Sequence, residues 1–297
     1  MKPISDKTTE QQNLKSMKID AMETREILEL MNQEDKQVPI AVEKAIPQIS
    51  AFVDLVVERF NRNGSLYYVG AGTSGRLGVL DASEIPPTFS ADPKLVQGII
   101  AGGSEALVKA VEGAEDHLDK GREAIRDKNV SEKDIVLGIT TSGFAPYVHG
   151  ALKEAKERGA ITGLLICNTP DHYDYVDVIL PVIVGPEIVT GSTRLKAGTA
   201  TKLVLNMIST TAMIKLNKTY GNLMVDLQAL NIKLWDRGTR IIVHLSGIEY
   251  DVARNILQEA NGEVKTALVM AIMKMHYIEA KDALKAVNGS LRKVLEA

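Results

Sequence analysis

Directly behind the apolar run Leu66-Tyr67-Tyr68-Val69 comes GAGTSGRLG, in which Gly70, Gly72 and Gly75 carry the spacing G-x-G-x-x-G and Thr73 and Ser74 add two hydroxyls. A glycine-rich turn between a strand and a helix lets the backbone approach an anion. The helix that follows offers unpaired amides and the positive end of its dipole. A dinucleotide is one occupant, but its site also needs an acidic residue at the end of the next strand, for the ribose. Here that strand, Val96 to Ala101, runs into Gly102-Gly103 with no acid. A phosphate monoester fits better. Thr140-Thr141-Ser142-Gly143 supplies hydroxyls behind another apolar run, and Gly191-Ser192-Thr193-Arg194-Leu195-Lys196 adds more, with two cations. Each loop alone is equally well an N-capped turn. Together, at one edge of a parallel sheet, they describe a sugar-phosphate crevice. Its candidate binding residues are Gly72, Thr73, Ser74, Thr141, Ser142, Gly143, Ser192, Thr193 and Lys196.

The elements that would position these loops follow from hydrophobic periodicity. Leu66–Val69, Val96–Ala101, Ile135–Thr140, Ile161–Cys167 and Val176–Val184 are five short, nearly continuous apolar runs. Strands of this kind, alternating with helical stretches, predict an α/β fold with a parallel sheet covered on both faces. Pro181 marks the fifth run as an edge or late strand position. Helices are expected over 18–60, 76–85, 104–112, 114–127, 147–158 and 198–217. Pro86-Pro87 should end the second of these, because proline disfavours helix at the residue before it. Another helix is expected within 222–246, and from about 249 short helices broken at Asn261-Gly262 and Asn288-Gly289 suggest a small bundle. The expected organisation is an N-terminal helical arm over 1–60, a sheet domain over 61–220 and a C-terminal helical region over 221–297. The two helix-rich ends carry much apolar surface and need a partner, either the sheet domain or a second chain.

Composition narrows the function. The 297-residue chain has a formal net charge of -3, so no basic field invites nucleic acid or anionic lipid. Aromatic residues are 4% of the chain, too few for a base-stacking platform. No apolar run approaches the ~18 residues of a membrane span, and MKPISDKTTEQQNLKSMK lacks the apolar core of a signal peptide. The single cysteine, Cys167, lies in an apolar run and reads as core. The five histidines are dispersed, without metal-ligand spacing. A cytoplasmic protein without a metal site is the consistent expectation.

Longer blocks are more specific than the glycine spacing. VGAGTSGRLGVLDASEIPPTF (69–89), AGGSEALVKAVEGAED (101–116), VGPEIVTGSTRLKAGTATKLVLNMIST (184–210) and NLMVDL (222–227) resemble the N-acetylmuramic acid 6-phosphate etherases, and the resemblance covers nearly the whole chain. It implies the sugar isomerase (SIS) fold, a five-stranded parallel sheet between helices with a helical N-terminal arm and a small C-terminal helical domain. It further implies a homodimer acting on a phosphorylated amino sugar without metal or redox cofactor. The implied reaction is elimination of D-lactate from the sugar C3, followed by addition of water. The family's catalytic acid matches Glu84 in DASEIPP, and its second catalytic carboxylate matches Glu115 in EGAED. Glu115 is expected to open a helix behind Gly113, where the dipole would favour the ionised form needed by a base. One motif departs from the pattern. The family's S-G-R-T-P-Y is here Ser142-Gly143-Phe144-Ala145-Pro146-Tyr147. Losing the threonine hydroxyl from a phosphate would cost ~1.5–3 kcal/mol if nothing compensates, and Thr140 and Thr141 are the available compensation. Two other readings share the fold: a sugar-phosphate-sensing regulator of the glucokinase-regulator type, which binds without turnover, and a sugar-phosphate isomerase.

Overall fold

The computed structural model describes residues 7–296; the first six residues of the expected N-terminal arm and Ala297 lie outside the described residues. The five apolar runs form one sheet of β1 (Leu66–Gly70), β2 (Val96–Ile100), β3 (Ile135–Ile139), β4 (Ile161–Ile166) and β5 (Val178–Pro181), in the order β2-β1-β3-β4-β5. Every neighbouring pair is parallel, with Val69 of β1 between Ile99 and Gly138. β5 is shorter than its apolar run and ends on Pro181, which has no N–H to give a ladder and is tolerated at this edge.

Three helices precede the sheet: α1 (Thr24–Asp35), α2 (Gln37–Lys44) and α3 (Ile46–Asn61). Between strands come α4 (Gly72–Phe89), α5 (Leu118–Asp127) and α6 (Pro146–Glu157), and behind the last strand α7 (Lys196–Lys215). Tyr67, Val69, Val136 and Leu164 join Ile125 of α5 and Val148 and Leu152 of α6 in one core on one face of the sheet. The connection leaving β1 leads to β2 on one side, and the one leaving β2 returns to β3 on the other. The carboxyl ends of β1 and β3 therefore flank the point where the winding reverses, where ligands of open α/β sheets sit.

Four helix expectations need correction. α4 starts at Gly72 and runs through Pro86 and Pro87 to Phe89. Each proline lacks the N–H that would bond the carbonyl four residues back, at Ala82 and Ser83, and the loss is confined to the last turns, where Ile85 and Phe89 are buried. Residues 104–112 hold only a 3₁₀ turn, Gly103–Leu107, entered through Gly102 in the left-handed region at φ 84°. A second 3₁₀ turn, Ala114–Asp116, precedes α5, so Glu115 does not open a helix. Within 222–246 the helix begins only at Ile232, because the short antiparallel strands β6 (Thr219–Tyr220) and β7 (Leu223–Met224) occupy the chain before it.

The chain divides into two compact units, one holding Pro93–Ser209 with the chain up to Ser83, the other holding Glu84–Asp92 with the chain from Thr210 onward. The second unit is a helical bundle of α8 (Ile232–Ser246), α9 (Tyr250–Glu259), α10 (Val264–Met273), α11 (Tyr277–Ala286) and α12 (Leu291–Leu295). Residues Val264 to Ala271 of α10 are all buried, which makes α10 the centre of that bundle. Asn261 and Asn288 take left-handed backbone at the breaks read from the sequence. No helix among the described residues is long and apolar enough to cross a membrane.

Candidate active site

The first loop is built on a close approach. A Cβ on Gly70 would stand 2.6 Å from the Gly75 nitrogen, and one on Gly75 would stand 2.7 Å from the Gly70 oxygen. Two glycines thus let the first turn of α4 pack directly on the end of β1. That contact leaves Thr73 and Ser74 in the first turn, beside amides without helical partners. The second loop follows β3. Gly143 sits at φ 78°, in the left-handed region that glycine adopts without strain. Its carbonyl accepts a hydrogen bond from His149 Nε2 at 3.0 Å, while the Tyr175 hydroxyl donates to His149 Nδ1 at 3.1 Å. Burial holds His149 below its ordinary pKa, so it is neutral and both ring nitrogens are used. Asn168 Nδ2 donates to the Thr141 carbonyl at 3.1 Å and fixes the other end of the loop.

These loops enclose a crevice of about 290 Å³. Thr73 and Ser74 from α4, Thr141 and Ser142 behind β3, Thr193 and Glu115 all line it. Gly72 and Thr140 line it too, whereas Gly143 supports the loop from behind and Ser192 lies next to the lining Thr193. Among the described residues, no lysine or arginine lines the crevice. An anion held here is therefore neutralised by amide and hydroxyl dipoles and by the start of α4, as at other helix N-termini. Ala145, where the family has threonine, lines the crevice without a hydroxyl, and Phe144 beside it is exposed. Glu10 also lines the crevice and was not among the residues singled out from the sequence. It is carried there by Thr9, whose N–H donates to Asn168 Oδ1 at 3.3 Å and whose Oγ1 accepts from Asn168 Nδ2 at 3.0 Å. Nothing local in the sequence signals that tie.

Lys196 is engaged elsewhere. It is buried, and its Nζ is 2.8 Å from Glu34 Oε2. Burial pushes the Glu34 carboxyl up, but hydrogen bonds from Lys15, Lys196 and Asn13 outweigh it and hold the group down to about 2. The Glu187 carboxylate accepts from the backbone N–H groups of Lys196 and Ala197 and so caps the start of α7. Lys196→Met removes the buried cation beside Glu34, leaving the carboxylate only Lys15 and Asn13, and should cost up to about 3–5 kcal/mol in chemical denaturation. The low pKa of Glu34 gives stability that is full above the ordinary carboxylate range and lost as pH falls from about 4.5 towards 2. In Lys196→Met that acid dependence should be weaker.

The two glutamates occupy different settings. Glu115 lies on its 3₁₀ turn in the crevice wall, open to solvent on one side. Its pKa is raised, by loss of water around the carboxyl first and then by the charges of Asp116 and Glu112. The helix dipole expected to favour its ionised form does not dominate, since α5 starts only at Leu118. Glu84 is exposed on α4, three helical turns beyond Thr73, a rise of roughly 16 Å along the same helix. Cys167 is buried with its thiol pushed up to about 12, an inert core position. Among the described residues no group of three or more His, Cys, Asp or Glu is arranged to hold a metal ion.

A five-stranded parallel sheet with hydroxyl-rich loops at its switch point is the arrangement of SIS-type sugar-phosphate proteins. Residues 48–156 match the glucokinase regulatory protein N-terminal SIS domain. The fold is shared with a phosphoheptose isomerase from Francisella tularensis at a TM-score of 0.51 and 18% identity, over 65% of this chain and 100% of that one. The chain is 50% identical over 289 residues to N-acetylmuramic acid 6-phosphate etherase from Caldanaerobacter subterraneus subsp. tengcongensis, covering 97% of this chain and 94% of the relative. It is also 50% identical over 295 residues to the enzyme of that name from Clostridium acetobutylicum, covering 99% and 97%. The chain belongs to the N-acetylmuramic acid 6-phosphate etherase family.

Proposed function

We infer that this chain is a carbon–oxygen lyase that cleaves the D-lactyl ether of N-acetylmuramic acid 6-phosphate, giving N-acetylglucosamine 6-phosphate and D-lactate. The observation that carries this reading is full-length identity of 50% to proteins of that name, with the family's second carboxylate, Glu115, standing in the hydroxyl-lined crevice. The 6-phosphate binds through the α4 amides at Gly72, Thr73 and Ser74 and the hydroxyls of Thr73, Ser74, Thr141, Ser142 and Thr193. Gly143 and Ser192 shape the loops, and Thr140 and Thr141 offset the hydroxyl absent at Ala145. Glu115 acts as the base and removes the C2 proton of the open-chain aldehyde. The electron pair forms the C2=C3 bond as the C3–O bond breaks, and Glu84 as a carboxylic acid protonates the departing lactate oxygen. Water then adds its oxygen to C3, and a proton returns to C2. The route needs no metal or redox cofactor.

A rise of roughly 16 Å separates Glu84 from the phosphate end of its own helix. The reading therefore includes a cytoplasmic homodimer in which Glu84 serves the crevice of the other copy. Leu80, one turn before Glu84 on the same face of α4, is an apolar side chain 53% exposed, which supports a covered face there. The direct test is purified protein with N-acetylmuramic acid 6-phosphate. D-lactate and N-acetylglucosamine 6-phosphate should appear in equal amounts. Sugar-phosphate binding without lactate would favour the regulator instead, and aldose–ketose exchange without lactate the isomerase.

A further inference from the structure

A smaller chamber of about 190 Å³ adjoins the crevice and shares Ala71, Gly72 and Glu115 with it. Ala101, Ala106 and Ala110 give part of its remaining wall a methyl surface, and among the described residues its one cation is Arg76. Arg76 lies in the second turn of α4 and donates from Nη2 to the Lys109 carbonyl at 3.1 Å. Among the described residues no carboxylate forms an ion pair with it. A guanidinium has five N–H donors, so most of this fork is uncommitted. Glu112 also lines the chamber, but it is exposed and solvated.

The etherase substrate carries two anions, the phosphate and the lactyl carboxylate, and the crevice with its neutral donors accounts for only the first. We propose that Arg76 binds the lactyl carboxylate in the smaller chamber, with the lactyl methyl against the alanines, and so selects sugars bearing a 3-O-linked carboxylic acid. The inference rests on the etherase reading for its ligand. It also explains the position of Glu115, which stands in the wall common to both spaces, where C2 and C3 of a sugar bridging them would lie. A guanidinium is suited to this task because its planar fork meets a carboxylate with two parallel bonds.

The test crosses a protein change with a ligand change. Wild type and Arg76→Gln are each assayed with N-acetylmuramic acid 6-phosphate and with its lactamide form, in which the carboxylate is a neutral carboxamide. Wild type should prefer the acid by about tenfold or more in kcat/KM, the size of a charge-assisted hydrogen bond. Arg76→Gln should treat acid and amide alike while keeping its inhibition constant for N-acetylglucosamine 6-phosphate, which has phosphate but no lactyl acid. Arg76→Lys, with charge but no fork, should retain a reduced preference. The proposal is overturned if Arg76→Gln keeps the acid preference. It is also overturned if that variant loses acid, amide and product binding in equal measure, since Arg76 would then only hold the Lys109 segment. Should wild type release no lactate, the same four pairs are compared by calorimetric binding. A carboxylate preference lost in Arg76→Gln upholds the chamber's assignment while the etherase reading falls, and no preference in wild type overturns the assignment itself.

Discussion

Glu115→Gln should lower D-lactate release by about 10²–10⁴-fold, the usual contribution of a positioned proton-transfer group, with affinity for N-acetylglucosamine 6-phosphate nearly unchanged. The split follows from the construction of the crevice. The donors proposed for the phosphate are backbone amides and hydroxyls on α4 and behind β3, none of which depends on the Glu115 carboxyl. The amide of glutamine fills the same space but cannot accept the C2 proton. The pH profile gives an independent reading. Desolvation, then Asp116 and Glu112, raise the Glu115 pKa, and a base works only when ionised. The acidic limb of kcat/KM in wild type should therefore lie at higher pH than an ordinary glutamate would give, with activity falling as pH drops through it. Glu115→Gln should lack that limb in its residual activity. A variant with wild-type turnover would remove Glu115 from the proton transfer.

The parts that sequence made legible share a physical cause. Leu66–Val69, Ile135–Ile139 and Ile161–Ile166 lie between helices, so nearly every side chain faces apolar neighbours and the runs are unbroken. The loops behind β1 and β3 were legible because close backbone approach and left-handed turns demand glycine, and free helix amides recruit hydroxyls. What escaped depends on contacts distant in the chain. Lys196 resembles a phosphate ligand until Glu34, 162 positions away, takes its ammonium. Glu10 enters the crevice through Thr9 and Asn168, a pair with no local signature. Pro86-Pro87 predicted a stop because local propensity cannot weigh the lost helical bonds against burial of Ile85 and Phe89 on either side. Glu115 was expected at a helix start, and a 3₁₀ turn of three residues stands there. Phe144, where the family pattern has arginine, is exposed, and nothing in the structure explains it.

The central claim is that Glu84 of one copy and Glu115 of the other act as a pair. It is tested by mixing two inactive proteins. Glu84→Gln and Glu115→Gln are each purified, then co-refolded or co-expressed so that subunits pair at random. In a mixed dimer one crevice would combine Glu115 from the first chain with Glu84 from the second, and the other crevice would have neither. Half of the dimers would be mixed and half of their crevices intact, so lactate release should return to about a quarter of the wild-type rate per chain. A mixture as inactive as its two components, with exchange of subunits verified, would contradict the account.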